Sequence, residues 1–451
     1  MTKPRTATTA VLATLAVIVI GAFLVRSPGD SEFTAPEEGL DSPRLTALAK
    51  DFKAGDQAAL GRFWEEMHGK APLIEPVADD PHSSWVTFVW RGDGKTRRMN
   101  VQGGPSTGDF ADWMKRLGNT DLWYRTVRIP NDSRIVYFFQ VNRPLKFPPH
   151  AEKLPPLAPP RADPLNSHKT RSQDRSVLEL PEAPPQPWLT RLPGVSEGTL
   201  SEHRLTSQII SATKSGFDPE REFLVYTPPN YDPQGAPYRL LLLFDGQGNR
   251  DPSADMPITV ILDNLIASGK IAPLVAVFVY QTGERNRELG CSQPFSDFAA
   301  KELVPWVRKN YRVSPKPEHV TIGGMSAGGR MAAYCGLRHS EVFGNVLSLS
   351  GGFEWWPGAL EERMDDEPGW LTRQFVTAPR LPVRFYLAAG RFEHWFFPSS
   401  LLTENRRLRD VLQAKGYTVE YAEFSGGHDP VCWRGPFVDG LMALAGFKGE
   451  R

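Results

Sequence analysis

Thr321-Ile322-Gly323-Gly324-Met325-Ser326-Ala327-Gly328-Gly329 is the stretch on which the reading of the fold turns. It sets one serine between Gly324 and Gly328, after the short run His319-Val320-Thr321-Ile322 and before a helical pattern of Met331, Ala332, Tyr334, Cys335 and Leu337. A β-branched run of this length suits a buried parallel strand, and the spacing after Ser326 is that of a helix with one apolar face. A serine at the tip of so sharp a strand-to-helix turn sits in strained backbone, and Cβ atoms at Gly324 and Gly328 are expected to collide with the neighbouring strand and helix. A small-x-Ser-x-small pentapeptide alone is also an ordinary tight glycine turn. The strand before it and the helix after it favour the reading in which the serine is presented as a nucleophile.

The chain has 451 residues, 40% of them hydrophobic, enough for two domains and a sizeable core. Lysine plus arginine equals aspartate plus glutamate at 52 each, a balance that argues against a nucleic-acid partner. The three cysteines, Cys291, Cys335 and Cys432, make neither a disulfide scaffold nor a CxxC zinc pattern. At the N-terminus, Lys3 and Arg5 precede an uncharged apolar run from Thr6 to Val25, which Arg26 ends. Residues 1–26 are therefore a secretory signal peptide or a single membrane anchor. The run is close to bilayer-spanning length and no good Ala-x-Ala site follows it. An uncleaved inner-membrane anchor with a periplasmic remainder is the expectation, a cytoplasmic protein the alternative. A buried N-terminal helix fits poorly, because Ser27-Pro28-Gly29-Asp30 follows at once.

Residues 27–70 are expected to be a polar tether followed by short helices, on the pattern Leu45, Leu48, Phe52, Leu60, Phe63, Trp64 and Met67. Residues 71–145 change to short alternating strands with turn signals between them, such as Arg91-Gly92-Asp93-Gly94, and predict a small β-sandwich domain. Its aromatics, among them Trp85, Trp90, Trp123, Tyr124, Tyr137 and Phe138, are expected in the sandwich core rather than on a ligand platform. Residues 146–195 are proline-rich and predict an extended connector unable to join a sheet interior, with Asp163-Pro164-Leu165-Asn166 as a docked turn. Residues 196–451 alternate apolar strands (204–212, 222–227, 240–245, 274–280, 319–323, 345–350, 384–389, 418–424) with helices (258–268, 295–310, 327–338, 401–415, 437–445). The fold class is α/β, with a mainly parallel sheet covered by helices on both faces. The order of parts is that of an α/β-hydrolase.

A serine hydroxyl needs a general base within hydrogen-bond reach. In this fold the base is a histidine on the loop after the last strand. His428, in Ser425-Gly426-Gly427-His428-Asp429, has that place, whereas His339 sits at the far end of the helix after Ser326. The acid belongs after the penultimate strand, where the first carboxylate is Glu393; Asp365, Asp366 and Asp429 are less well placed. Two backbone N–H groups must face the developing oxyanion. Ala327 supplies one, and Gly246 or Gln247, after the strand ending at Phe244, the other.

The catalytic half resembles the enterochelin esterase family, which hydrolyses ferric enterobactin. The resemblance is carried by Leu243-Phe244-Asp245-Gly246, Arg287-Glu288-Leu289-Gly290-Cys291, Glu302-Leu303-Val304-Pro305-Trp306, the Ser326 turn, Phe343 to Gly351, and Trp355-Trp356-Pro357. Its most specific part is Gly426-Gly427-His428-Asp429-Pro430-Val431-Cys432-Trp433-Arg434-Gly435, since ordinary α/β-hydrolases lack the Cys-Trp-Arg-Gly tail. The sandwich, the connector and the Asp-Pro-Leu-Asn turn extend it more weakly. The resemblance implies hydrolysis of the trilactone esters of a catecholate siderophore, with Ser326 and His428 as nucleophile and base. It also implies a disulfide between Cys291 and Cys432. No cofactor or metal is required of the protein, because any iron arrives with the substrate.

A ferric tris-catecholate is a trianion with aromatic faces, so Arg287, Trp356, Trp433 and Arg434 are the candidate substrate-binding residues, each with a structural role as the alternative. Arg330 departs from the family pattern, and is expected to add a pocket charge or to face solvent. The anchor also departs, and in the periplasm would fit linearisation or partial cleavage of the siderophore. The rival readings are an exported esterase for feruloyl or acetyl esters of polysaccharides, and a non-catalytic ferric-siderophore binding protein.

Overall fold

In the computed structural model, which describes residues 40–104, 113–142, 159–213, 215–357, 367–394 and 399–445, the apolar runs of the second half form one eight-stranded sheet. Its strands are β8 (Thr199–Thr206), β9 (Glu220–Thr227), β10 (Arg239–Phe244), β11 (Leu274–Val279), β12 (Val320–Met325), β13 (Asn345–Leu349), β14 (Arg384–Gly390) and β15 (Thr418–Phe424). Their spatial order is β15-β14-β13-β12-β10-β11-β9-β8. β10 to β15 pair in parallel, and β9 and β8 close one edge antiparallel.

Alternate residues of the strands feed two cores. Leu240, Leu242, Val275, Val277, Val320 and Ile322 face one way, and Leu241, Leu243, Leu274, Ala276 and Phe278 the other. The helices are α3 (Gln208–Ser211), α4 (Ile258–Ala267), α5 (Arg285–Glu288), α6 (Gln293–Phe298), α7 (Val304–Asn310), α8 (Ala327–Arg338), α9 (Trp370–Thr377), α10 (Leu401–Ala414) and α11 (Pro430–Ala445). α4 and α11 cover the second face, and α6, α7, α8, α9 and α10 the first. Each buried leucine or valine contributes about 1.5–3 kcal/mol by leaving water, which is why both faces of a sheet this apolar must be covered. The parallel register brings the C-terminal ends of β10, β12, β14 and β15 to one edge of the sheet.

The last helix begins at Pro430 rather than at 437, α9 was not expected, and two further elements differ for a visible reason. The strand expected through residue 212 ends at Thr206, because Ser207 caps α3 with its hydroxyl and Glu302 accepts the Gln208 and Ile209 amides at 2.9 and 3.0 Å. The single helix expected over 295–310 is split by a π turn at Ala299–Leu303, just before Pro305, which has no N–H for an α-type bond.

The first half holds α1 (Pro43–Lys53), α2 (Ala59–Met67), β1 (Leu73–Val77), β2 (Asp80–Arg91), β3 (Met99–Gly103), β4 (Lys115–Arg116), β5 (Leu122–Pro130), β6 (Arg134–Val141) and β7 (Ser176–Glu179). Sheet β1-β2-β5-β4 packs on sheet β3-β6-β7 through Val86, Phe88 and Ile129 against Val101, Ile135, Tyr137 and Phe139. Tyr124 and Tyr137 are buried, whereas Trp85, Trp90, Trp123 and Phe138 are half-buried. α1 and α2, at the place expected for short helices, cover the outer face of the first sheet with Leu45, Leu48, Phe63 and Trp64.

The connector is not free along its length. β7 pairs antiparallel with β6 at the sheet edge, in a stretch without proline. The turn at Asp163 is docked, with Tyr137 donating its hydroxyl to Asp163 at 2.8 Å and Asn166 donating to that hydroxyl at 3.1 Å. The expected anchor at 1–26, residues 27–39, the connector prolines 148, 149, 155 and 156, and Asp365 and Asp366 lie outside the described residues. Among the described residues, no helix is long and apolar enough to cross a membrane.

Candidate active site

Ser326 sits between β12 and α8 at φ 57° and ψ −125°, a conformation that a side chain rarely adopts. Three backbone hydrogen bonds hold it there. Its N–H donates to the Leu349 carbonyl at 2.9 Å, and its own carbonyl accepts from Arg330 at 3.1 Å and Gly352 at 3.0 Å. A Cβ on Gly324 would lie 2.6 Å from the Gly328 carbonyl carbon, which is the collision expected there. At Gly328 the fit is tight rather than closed, with Asp245 Oδ2 at 3.2 Å and Phe244 Cβ at 3.4 Å.

Glu393, three residues past the end of β14, is completely buried, and its Oε1 accepts from His428 Nδ1 at 2.8 Å. Its Oε2 accepts the Gly390 amide at 2.9 Å, which fixes the carboxyl plane. With Nδ1–H given to Glu393, Nε2 is the basic nitrogen of the imidazole. Trp433 stands edge-on to the His428 ring, centroids 4.8 Å apart at 84°, and donates its indole N–H to Ser350 Oγ at 2.8 Å. Asp429 does something else. Its Oδ1 accepts the Val431 amide at 2.9 Å at the start of α11, and burial pushes its carboxyl above the usual range. His339 is occupied far along α8 by Asp297 at 2.8 Å.

The loop after β10 is pinned from several sides. Asp245 lies in the left-handed region at φ 60°, and Gly246 is pressed so close to β11 that a Cβ would lie 2.5 Å from the Phe278 carbonyl carbon. Gln281 accepts the Asp245 amide at 2.7 Å, and Gln247 donates its side-chain amide to the Gln281 carbonyl at 2.8 Å. The Asp245 carboxylate is forked by Arg285 at 2.5 and 2.6 Å while Oδ2 lies beside Gly328 at the start of α8. The candidate oxyanion donors at Gly246 or Gln247 and at Ala327 therefore sit on adjoining segments, the first of them pinned by Arg285 and Gln281. Ala327 opens α8, where amides have no acceptor within the helix. Arg285 is held in turn by a loop anchored at Glu288. This carboxylate is fully buried against Arg221 at 2.7 Å and accepts the Thr282 hydroxyl at 2.7 Å. Arg285, Arg221 and Gln281 were not legible beforehand; the charge of Asp245 at a strand end was the one signal that a cationic partner existed.

The four candidate substrate-binding residues are treated differently by the fold. Trp433 borders His428, and Trp356 is buried in the loop after β13. Arg287 is exposed, paired with Glu284 at 3.0 Å and the Ser215 carbonyl at 2.9 Å, with Phe217 under its guanidinium. Its ion-pair partner is thus Glu284. Arg434 points between the two halves of the chain to Gln186, to the Asp255 carbonyl at 3.3 Å and to Glu179 at 3.3 Å. It lines a cavity of about 410 Å³ with Leu189, Thr190, Arg191, Ser253 and Asp255.

Arg330 corrects the expectation of a pocket or solvent charge. It is buried on α8, stacks over Trp355 at 4.9 Å, and donates to the Gly352 carbonyl at 3.0 Å and the Leu289 carbonyl at 3.1 Å. A guanidinium can serve carbonyls on two loops at once, and Arg330 braces the loops on either side of the elbow. Glu354, beside it, is a residue that the sequence reading missed. Its Oε2 has no hydrogen-bond partner among the described residues, and burial pushes the carboxyl up despite Arg330 and His428 nearby.

The expected Cys291–Cys432 disulfide does not form. All three cysteines are free and buried, and burial pushes each thiol up to about 12. Cys432 instead donates its Sγ–H to the Arg134 carbonyl at 3.2 Å, on the sandwich side.

A family model described as a putative esterase matches residues 215–444, and one described as the N-terminal domain of enterochelin esterase matches residues 85–189. The chain is 30% identical over 429 residues to an iron(III) enterobactin esterase of Escherichia coli strain CFT073, covering 89% of this chain and 98% of the relative. Among solved structures it resembles a ferric enterobactin esterase from Salmonella typhimurium, with TM-score 0.67 and 26% identity over 85% of this chain and 98% of that one. It also resembles an enterobactin esterase from Shigella flexneri solved in the presence of enterobactin, with TM-score 0.64 and 26% identity over 85% of this chain and 97% of that one.

Proposed function

Because the chain belongs to the enterochelin esterase family of α/β-hydrolases, we propose that it is a serine esterase that opens the trilactone esters of a ferric catecholate siderophore such as ferric enterobactin. Ser326 Oγ attacks a lactone carbonyl while His428 Nε2 takes its proton. Glu393 keeps the imidazole in the required tautomer and stabilises the imidazolium. The amides of Ala327 and of Gly246 or Gln247 hold the oxyanion. The imidazolium then returns its proton to the leaving seryl hydroxyl, and water activated by the same histidine releases the acyl group. Trp433, edge-on to the His428 ring, borders this centre, and Arg287 offers an exposed cation on the α5 segment. The observation that carries this reading is the buried Glu393–His428 hydrogen bond at 2.8 Å on the same sheet edge as a serine held at positive φ.

The apolar run from Thr6 to Val25 between Arg5 and Arg26 supports an anchored protein facing the periplasm, with export machinery as its partner during synthesis. That location suits partial cleavage of the siderophore before transport.

The test is chromatography of ferric and iron-free enterobactin after incubation with a chain lacking residues 1–26, beside Ser326→Ala. Serine-dependent appearance of linear trimer, dimer or monomer is expected. Cleavage of a simple aryl ester with neither form of enterobactin cut would leave the esterase and remove the substrate.

A further inference from the structure

The histidine loop follows β15, the edge strand of the sheet among the described residues. At that edge the sandwich domain meets the loop. The Arg134 amide donates to the Ser425 carbonyl at 3.0 Å, and the Arg134 carbonyl accepts from Cys432 Sγ at 3.2 Å. The approach is close, since a Cβ on Gly426 would lie 3.0 Å from both the Arg134 oxygen and the Cys432 sulfur. Arg175, next to β7, reaches Asp429 at 3.9 Å. The same β5–β6 turn touches the acid loop. Asp132 lies 3.5 Å from Arg391, which also donates to Ser425 Oγ at 3.0 Å, and Phe392 packs into the sandwich core. Residues 391 and 392 immediately precede Glu393, and residues 425 and 426 precede His428.

We propose that the β5–β6 turn of the sandwich domain, with Phe392 as its apolar anchor, is a positioning element that sets the Glu393–His428 geometry for catalysis. It acts through these two residues and touches no substrate. The inference rests on Glu393 and His428 as acid and base. Within the catalytic domain the two loops are joined by Arg391 N–H to Phe424 O at 2.9 Å, Phe392 N–H to Gly426 O at 3.2 Å, the Arg391–Ser425 side-chain bond and the Glu393–His428 bond itself. Clamping both against a second domain removes the freedom those ties leave. A displacement of about 1 Å at such a pair costs on the order of 100-fold in rate.

The experiment uses aryl ester hydrolysis, with rates normalised to active sites titrated by a fluorophosphonate. Phe392→Ala is expected to lower kcat about 10- to 100-fold with KM within about twofold, and Phe392→Leu to restore most of it. In a Glu393→Gln background Phe392→Ala should add little, because a residue that acts through Glu393 is not additive with its loss. Asp132→Ala, at a half-exposed side chain, should lower kcat about two- to fivefold, and decides the matter if Phe392→Ala does not fold. Full kcat per titrated site in these variants, with only a lower Tm, overturns the inference. So does a Phe392→Ala loss that persists undiminished in the Glu393→Gln background. Unimpaired activity of Glu393→Gln alone would instead remove the acid assignment.

Discussion

Ser326→Ala is expected to lower kcat for ester hydrolysis by roughly 10⁵- to 10⁶-fold, with substrate binding retained. The loss is large because no other nucleophile can occupy that point. The hydroxyl stands on a residue at φ 57°, held by hydrogen bonds from and to Leu349, Arg330 and Gly352, and the turn admits only glycine at 324. Alanine keeps the backbone and removes the attacking oxygen. The elbow, the oxyanion amides and the aromatic surface beside His428 remain, so residual turnover is that of a water molecule in the same cavity. Stopped-flow hydrolysis of an activated ester, with tryptophan fluorescence quenching to report binding, separates the two quantities. A fall in kcat below about 100-fold would mean that the chemistry passes through another group.

Glu393→Gln is expected to lower kcat by about 10³- to 10⁴-fold while leaving the fold intact. Glu393 accepts through both oxygens, from His428 Nδ1 at 2.8 Å and from the Gly390 amide at 2.9 Å. A glutamine can satisfy only one of these donors with its carbonyl oxygen. If that oxygen stays on Gly390, its NH₂ faces Nδ1 and drives the imidazole into the tautomer whose Nε2 carries the proton, which cannot accept one from Ser326. The imidazolium formed during attack also loses its counter-charge in a buried site. Asp429→Ala provides the contrast. Its carboxyl starts α11 through Val431, so the change is expected to alter stability far more than kcat. Steady-state kcat and KM beside thermal midpoints check both variants.

What could be read beforehand was what depends on neighbours in sequence. The Ser326 turn declared itself through glycine spacing and a change of hydrophobic period, both local. His428 and Glu393 followed from their order relative to two apolar strands, because a parallel sheet delivers the loops after its strands to one edge. The residues that eluded the reading owe their roles to distant partners. Arg330 looked like a surface or pocket charge, but the carbonyls that bury it lie at Leu289 and Gly352, 41 and 22 residues away. Arg434 looked like a substrate contact, but turns toward Gln186 and Glu179 across the domain boundary. β7 hid within a proline-rich stretch because the composition outside residues 176–179 dominates the window. Cys291 and Cys432 stood in similar loop motifs, yet one packs beside Arg330 and the other against Arg134. Pairing of that kind is set by the folded surface, and no spacing along the chain encodes it.

The central claim is that catalysis passes through one strained serine. The most direct measurement is peptide mass mapping of the protein after reaction with a fluorophosphonate under conditions that abolish aryl ester hydrolysis. The account predicts a single phosphonyl adduct on Ser326, stoichiometric with lost activity and strongly slowed in Glu393→Gln. An adduct on any other residue, or full inactivation with Ser326 unmodified, would contradict it.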